Sequence, residues 1–216
     1  IGKIMSLVFT YVSKNGDIHM LSDSCWTISD TGIYSTEEDI NKSFVVNYKE
    51  KTKKGLIEKK AMIAFTGSAT IFQYLKYQFD LGVKSESEDN IKFIYNSMVH
   101  HMREDALFRS LIENKNQAEI SVVIDGKIYL VDNQMSVFEI KDNYSIVGFA
   151  SEYFRTNFDI LREVAGIQIH DDNFKVIFEK IISILGSVSS LVSPPYVWNI
   201  LKNEDIKKGL ENGKDF

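Results

Sequence analysis

The first half of the chain alternates between apolar runs of strand length and polar turns. Positions 7–12 are apolar at almost every residue, which indicates a strand that is buried on both faces. An Asn-Gly turn at 14–17 predicts a hairpin that leads into a second strand over 18–21. The polar stretch 22–39 predicts an irregular excursion. Two further strands, over 43–48 and 56–65, are joined by a lysine-rich turn.

Two amphipathic helices follow these strands. Apolar residues at 71, 72, 74, 75 and 79 have helical spacing and predict a helix over 69–81, which Gly82 ends. The polar stretch 85–89 predicts the start of a second helix, with apolar positions at 91, 94, 95, 98, 99 and 102, that extends to about 109.

The second half of the chain repeats this order. An Asp-Gly turn at 125–126 predicts a hairpin of strands 119–124 and 127–131, and strands 136–140 and 144–147 come next. Helices over 151–165 and 173–185 follow, and then a last strand over 196–201. Strands between two helical layers would explain the doubly apolar first strand. We therefore predict an α+β fold, a four-layer αββα sandwich with two antiparallel sheets between helical layers.

Composition favours a single domain. The 216 residues contain two prolines, adjacent at 194 and 195, so no proline-rich linker divides the chain. We predict a leader or a remnant of vector sequence at 1–5, one domain over 6–201 and a charged tail over 202–216. No apolar run reaches the length of about 18 residues that a membrane span needs, so no membrane association is expected.

Charge and cysteine content exclude several functions. A formal net charge of −5 argues against a nucleic-acid partner, because such proteins concentrate Lys and Arg. Cys25 is the only cysteine, so the chain can form no internal disulfide and no zinc site from several cysteines. These features favour a reducing compartment, and we expect a cytoplasmic protein. His100 and His101 are adjacent on a predicted helix and cannot face one metal ion, so no metal is expected.

Three segments in this order carry a resemblance: the run 5–12 with its return to Asp23-Ser24, the stretch 61–69 before a helix, and the stretch 144–151 before another helix. Together they resemble the proteasome β-subunit family, which includes HslV-like peptidases. The resemblance implies an N-terminal-nucleophile hydrolase without metal or organic cofactor. It further implies self-association into a ring, a peptide or unfolded protein as substrate, and a separate AAA+ unfoldase ATPase as partner.

The resemblance also indicates four site residues. Ser6 would be the nucleophile once Met5 is removed, Asp23 and Lys42 would be a charge pair beside it, and the amide of Gly67 would bind the oxyanion. Each residue has a plainer interpretation: the polar start of a strand, a turn aspartate, a surface lysine and a tight turn that requires glycine.

The chain departs from the family pattern at three places. Phe149 stands where a serine is usual, Cys25 replaces an arginine, and the stretch 190–193 has no aspartate. Three functions therefore remain open. The first is a proteasome-like peptidase subunit that forms an acyl-enzyme. The second is an inactive scaffold or binding subunit of the same fold, and the third is an N-terminal-nucleophile amidase for small-molecule amides.

Overall fold

A computed structural model describes residues 6–27, 34–36, 41–53, 55–67, 69–80, 86–87, 89–99, 104, 118–132, 134–148, 151, 155, 158, 160, 163–166, 168–188, 194 and 196–206. Twelve strands occur in this part of the chain: β1 Leu7–Val12, β2 Ile18–Asp23, β3 Cys25–Thr27, β4 Tyr34–Thr36, β5 Ser43–Thr52, β6 Gly55–Gly67, β7 Glu86–Ser87, β8 Ala118–Ile124, β9 Lys127–Val131, β10 Val137–Ile140, β11 Tyr144–Gly148 and β12 Tyr196–Leu201.

The helices lie between the groups of strands. Helix α1 spans Ala69–Asp80, α2 spans Asn90–Ile94 and continues as a π-helical turn over Tyr95–Val99, and α3 spans Phe174–Val188. Residues 151, 155, 158, 160 and 163–165 are also helical. Asp89 caps α2, because its side chain accepts a hydrogen bond from the amide of Lys92 at 2.7 Å. None of the described helices has the length and apolar character needed to cross a membrane.

Two main sheets form the centre of the fold. The smaller sheet has the order β11-β1-β2-β12, and all its neighbouring strands are antiparallel. The larger sheet has the order β10-β9-β8-β6-β5-β7, in which only the two-residue β7 is parallel to its neighbour. The predicted irregular excursion over 22–39 needs correction, since β2 continues to Asp23 and β3 pairs with β4.

Three apolar clusters separate the layers. One lies between the larger sheet and α1 and α2, and another lies between the smaller sheet and α3. The third lies between the two sheets, where Val8 and Met20 pack against Met62, Val123 and other apolar residues. The predicted αββα sandwich is therefore confirmed.

Both faces of strand β1 are buried, because apolar clusters lie on both sides of the smaller sheet. Leu7, Phe9 and Tyr11 belong to the cluster below α3, whereas Val8 and Val12 belong to the cluster between the sheets. Successive side chains of a strand point to opposite faces, so a strand of an inner layer buries all of its residues. Each β1 residue is at most 7% exposed.

Turn geometry agrees with the turn residues. Asp125 and Gly126 both have positive φ, at 52° and 73°, in the two-residue loop between β8 and β9. This geometry is the one that favours Asp-Gly in a hairpin. The β5–β6 hairpin is longer than its sequence pattern predicts, since its pairing continues to Thr52 and Gly55.

Candidate functional site

A buried ion pair lies at the end of β2. The Nζ atom of Lys42 is 2.9 Å from Oδ2 of Asp23, and the two side chains are 1% and 0% exposed. The structure thus brings together two residues that are 19 positions apart, and the interpretation of Lys42 as a surface lysine is wrong. A buried charge is strongly unfavourable unless it is paired, so each residue of this pair requires the other.

The same carboxylate holds the start of β1. Oδ1 of Asp23 accepts a hydrogen bond from the amide of Leu7 at 2.8 Å. This amide belongs to the Ser6–Leu7 peptide bond, so the Asp23 carboxylate directly contacts the peptide unit that follows Ser6. The interpretation of Asp23 as an ordinary turn residue is wrong as well, since both of its carboxylate oxygens have buried partners.

Asn41 and Ser43, the two residues next to Lys42, make polar contacts that connect the two sheets. Asn199 of β12 donates to Oγ of Ser43 at 2.8 Å and also hydrogen-bonds the side chain of Asn41. The carbonyl of Lys42 accepts from the amide of Phe65 at 2.9 Å, which places the lysine beside the end of β6. The sequence alone offered no indication that Asn199 takes part, because it lies 157 positions after Lys42.

Ser6 lies against the last residue of β11. A Cβ atom placed on Gly148 would be 1.9 Å from the carbonyl oxygen of Ser6 and 2.9 Å from Cγ2 of Thr66. Gly148 also has φ of +99°, a conformation that other residues rarely adopt. Only glycine therefore fits there. Ser6 itself is 2% exposed, so its surroundings are tightly packed.

Gly67 lies close to this contact. It follows Thr66 directly, ends β6 opposite Ala118 of β8, and has φ of +121°. The positive φ agrees with the prediction that this turn requires glycine. Ser6, Asp23, Lys42 and Gly67 are thus gathered at one end of the sandwich by contacts between neighbouring residues.

A second carboxylate lies at this end of the fold. Oε2 of Glu119 accepts a hydrogen bond from the amide of Gly148 at 2.8 Å, and the carbonyl of Glu119 accepts one from the Thr66 hydroxyl at 3.2 Å. Sequence reasoning missed Glu119, because a glutamate at the start of an apolar strand looks like any surface residue.

Some of the predicted features fall outside the described residues. These are Met5, Phe149, His100, His101 and positions 190–193, as well as the side chain of Cys25. Among the described residues, no group of three His, Cys, Asp or Glu side chains is arranged to hold a metal ion.

The chain was compared with known protein families, curated proteins and solved structures. No protein-family model matches the chain, and no curated protein matches it by sequence. Solved structures do match. Anbu (Gly-1) mutant from Hyphomicrobium sp. strain MC1 aligns with a TM-score of 0.64 at 9% identity, over 97% of this chain and 94% of its own. The chain has the proteasome-like fold.

Two further structures support the same conclusion. BPH from Thiobacillus denitrificans, in complex with epoxomicin, aligns with a TM-score of 0.61 at 14% identity, over 91% of this chain and 98% of its own. Eukaryotic HslV from Trypanosoma brucei aligns with a TM-score of 0.58 at 13% identity, over 91% and 99% of the two chains. At such identities the likeness establishes the fold alone, and the chemistry of this chain has to be argued from its own residues.

Proposed function

We propose that this chain is a proteasome-like, N-terminal-nucleophile peptidase subunit with Ser6 as its nucleophile. The observation that carries the proposal is the carboxylate of Asp23, which binds both Lys42 and the amide of Leu7. Through this carboxylate, a buried positive charge is linked to the peptide unit that follows the residue that would attack. A neutral hydroxyl is a weak nucleophile and needs both a base and a favourable charge environment.

In this mechanism the hydroxyl oxygen of Ser6 attacks a peptide carbonyl, and the α-amine of Ser6 accepts the hydroxyl proton. The amine can do so only when Ser6 is the first residue, so the preceding residues must be removed. The proton then passes to the leaving amine, and the acyl group stays on Ser6 as an ester. Water hydrolyses the ester and restores the hydroxyl.

Lys42, Asp23 and Gly67 would support this reaction. The charge of Lys42 would favour the negative charge that develops during attack, and Asp23 pairs with the lysine and keeps it in place. The amide of Gly67, at the end of β6, would donate to the oxyanion. Gly67 directly follows Thr66, whose Cγ2 would be 2.9 Å from a Cβ atom on Gly148, and Gly148 packs against the Ser6 carbonyl; this proximity supports the assignment.

Partners and location belong to the same proposal. We expect the subunits to assemble into a ring that takes peptides or unfolded proteins, delivered by a separate AAA+ unfoldase. The comparison with HslV supports such an arrangement only through the shared fold. The single cysteine favours a reducing compartment such as the cytoplasm.

The intact mass of the protein tests the nucleophile. The chain is produced so that Ser6 is its first residue, and it is then treated with a peptide β-lactone. We expect one added acyl group on the wild type, none on Ser6→Ala, and one on Ser6→Thr, which keeps the hydroxyl. A folded chain with a free Ser6 and no adduct would show that the nucleophile assignment is wrong.

One observation favours an inactive scaffold or binding subunit instead. Ser6 is only 2% exposed, and a nucleophile must be reached by its substrate.

Cleavage assays distinguish the three functions. Degradation of an unfolded protein supports a peptidase, whereas hydrolysis of small amides alone supports the amidase alternative. A chain that forms rings but shows neither activity would be a scaffold.

A further inference from the structure

The amide of Gly148 lies on the outer side of an edge strand. Among the strands that the structure describes, β11 is at the end of the order β11-β1-β2-β12 and pairs with β1 on one side. Two charged side chains bind its outer side. Arg155 donates to the carbonyl of Ile146 at 2.8 Å, and Glu119 accepts from the amide of Gly148 at 2.8 Å. Such side chains satisfy edge groups that would otherwise be unpaired.

Glu119, unlike Arg155, lies on a strand of the larger sheet. It belongs to β8 of the opposite sheet, where it pairs with Thr66 of β6. Its side chain therefore crosses between the sheets. Its carbonyl also accepts from the Thr66 hydroxyl at 3.2 Å, so one residue contacts both sheets at this end of the sandwich.

Glu119 binds the amide of Gly148, and Gly148 packs against Ser6. Gly148 lies so close to the Ser6 carbonyl that a Cβ atom would be 1.9 Å from it, and Thr66 Cγ2 would be 2.9 Å from the same Cβ. Any movement of Gly148 would therefore change the packing around Ser6.

We propose that Glu119 is a positioning residue for the Ser6 site, which it serves by fixing the Gly148 backbone against Ser6. This inference rests on the proposed peptidase function. The bond needs an acceptor at this distance but not a negative charge, so glutamine can replace glutamate, whereas alanine or the shorter aspartate cannot. Displacement of reacting groups by about 1 Å can reduce a rate by about 10²-fold.

The test compares four variants in the chain that begins at Ser6: Glu119→Ala, Glu119→Asp, Glu119→Gln and Arg155→Met. The rate of acylation by the β-lactone, kcat and KM for a peptide, and the melting temperature are measured. We expect Glu119→Ala and Glu119→Asp to lose about 10- to 100-fold in acylation rate and in kcat, with KM little changed. Glu119→Gln should retain most of the activity.

Arg155→Met is the matched control, because it removes the other side chain that binds the edge of β11. It should lower the melting temperature as much as Glu119→Ala but keep kcat. If Arg155→Met loses kcat equally, or if Glu119→Ala is acylated at the wild-type rate, the positioning role is wrong while the peptidase remains. If the wild type is not acylated at all, the peptidase proposal fails, and the role of Glu119 fails with it. Should Glu119→Ala not fold, Glu119→Asp gives the same comparison.

Discussion

At the scale of single residues, the fold places charge where water cannot reach it. Lys42 and Asp23 are both almost completely buried and bind each other at 2.9 Å. Desolvating both charges is unfavourable, and replacing such a pair by apolar residues is often neutral or stabilising. Stability alone therefore does not explain the pair well, which agrees with the role that we propose for it beside Ser6.

Breaking this pair from one side should be severe. We expect Lys42→Met to lower the free energy of unfolding by about 3–5 kcal/mol, because it leaves the Asp23 charge buried without its lysine. Adding Asp23→Asn should recover part of that loss, since the asparagine is neutral and can still accept from Leu7. Urea denaturation of the single and double variants measures both effects.

Lys127→Met is the control for this measurement. Lys127 pairs with Glu139 at 2.9 Å, but the side chains are 55% and 44% exposed. Exposed pairs contribute little to stability, so this variant should be nearly neutral. If the double variant lost the sum of the two single losses, the two charges would not be coupled.

We expect His19 to make the stability of the fold depend on pH. The ring lies among Tyr11, Phe174 and Trp198. Burial lowers the pKa of His19 below its ordinary value of 6.5. Nearby Lys175 also lowers the pKa of His19, and Asp17 opposes that shift.

The sign of the pH effect follows from this shift. In the unfolded chain His19 takes up a proton near pH 6.5, whereas the folded chain resists it. Stability is therefore complete above that pH and falls as the pH drops below it, by at most about 1.4 kcal/mol per pH unit. Melting temperatures between pH 7.5 and 5.5 should fall less steeply in His19→Phe. His170→Gln, which alters an exposed histidine, should keep the wild-type slope.

At the scale of elements, α3 covers the outer face of the smaller sheet. Phe178 stacks on Phe9 of β1 with ring centroids 4.6 Å apart, and Phe174 stacks on Tyr11 at 4.2 Å. The helix therefore packs on the strand that begins at the Ser6 site. Its burial helps to determine where β1 lies and, through β1, where Ser6 lies.

Truncating this contact should destabilise the domain. We expect Phe178→Ala to lower the free energy of unfolding by about 3–5 kcal/mol, because the ring is 1% exposed and its removal leaves a cavity. Val176→Ala is the control on the same helix, since Val176 is 52% exposed and should be within about 0.5 kcal/mol of the wild type. A small loss for Phe178→Ala would mean that α3 does not hold β1.

At the scale of the whole molecule, several large apolar side chains among the described residues are exposed to solvent. On α1, Phe72, Tyr74 and Phe79 pack towards the cluster over the larger sheet, whereas Tyr77 is 59% exposed. The helical spacing of this aromatic run agrees with core packing for three of its members. Tyr77 is the member that remains available for contact with another subunit.

Association of the subunits can be measured directly. We expect sedimentation velocity at micromolar concentration to show a species larger than one chain. Tyr77→Glu should weaken the association by placing a charge in an apolar contact, whereas Gln73→Glu, at an exposed position of the same helix, should not. A monomer alone in the wild type would count against assembly into a ring.

The sequence by itself determined the layer order and most of the elements. Strand and helix periodicity depend on neighbouring residues, so β1, α1, the Asp125-Gly126 hairpin and α3 could be located to within a few residues. Short strands were less predictable, because β3 and β4 have little pattern of their own and exist through their pairing. The candidate site residues came from the family resemblance, and periodicity did not point to them.

Only the tertiary structure decided which distant residues meet. The contact of Asn199 with both neighbours of Lys42 and the Glu119–Gly148 hydrogen bond join parts of the chain that are far apart in sequence. The Lys42–Asp23 ion pair does so too, and only the family resemblance had suggested it. Such contacts depend on strand order and on how the two sheets face each other, which no local pattern contains. The burial of Lys42 also depends on the tertiary structure, because a lysine next to the start of a strand becomes fully enclosed only when the two sheets pack together.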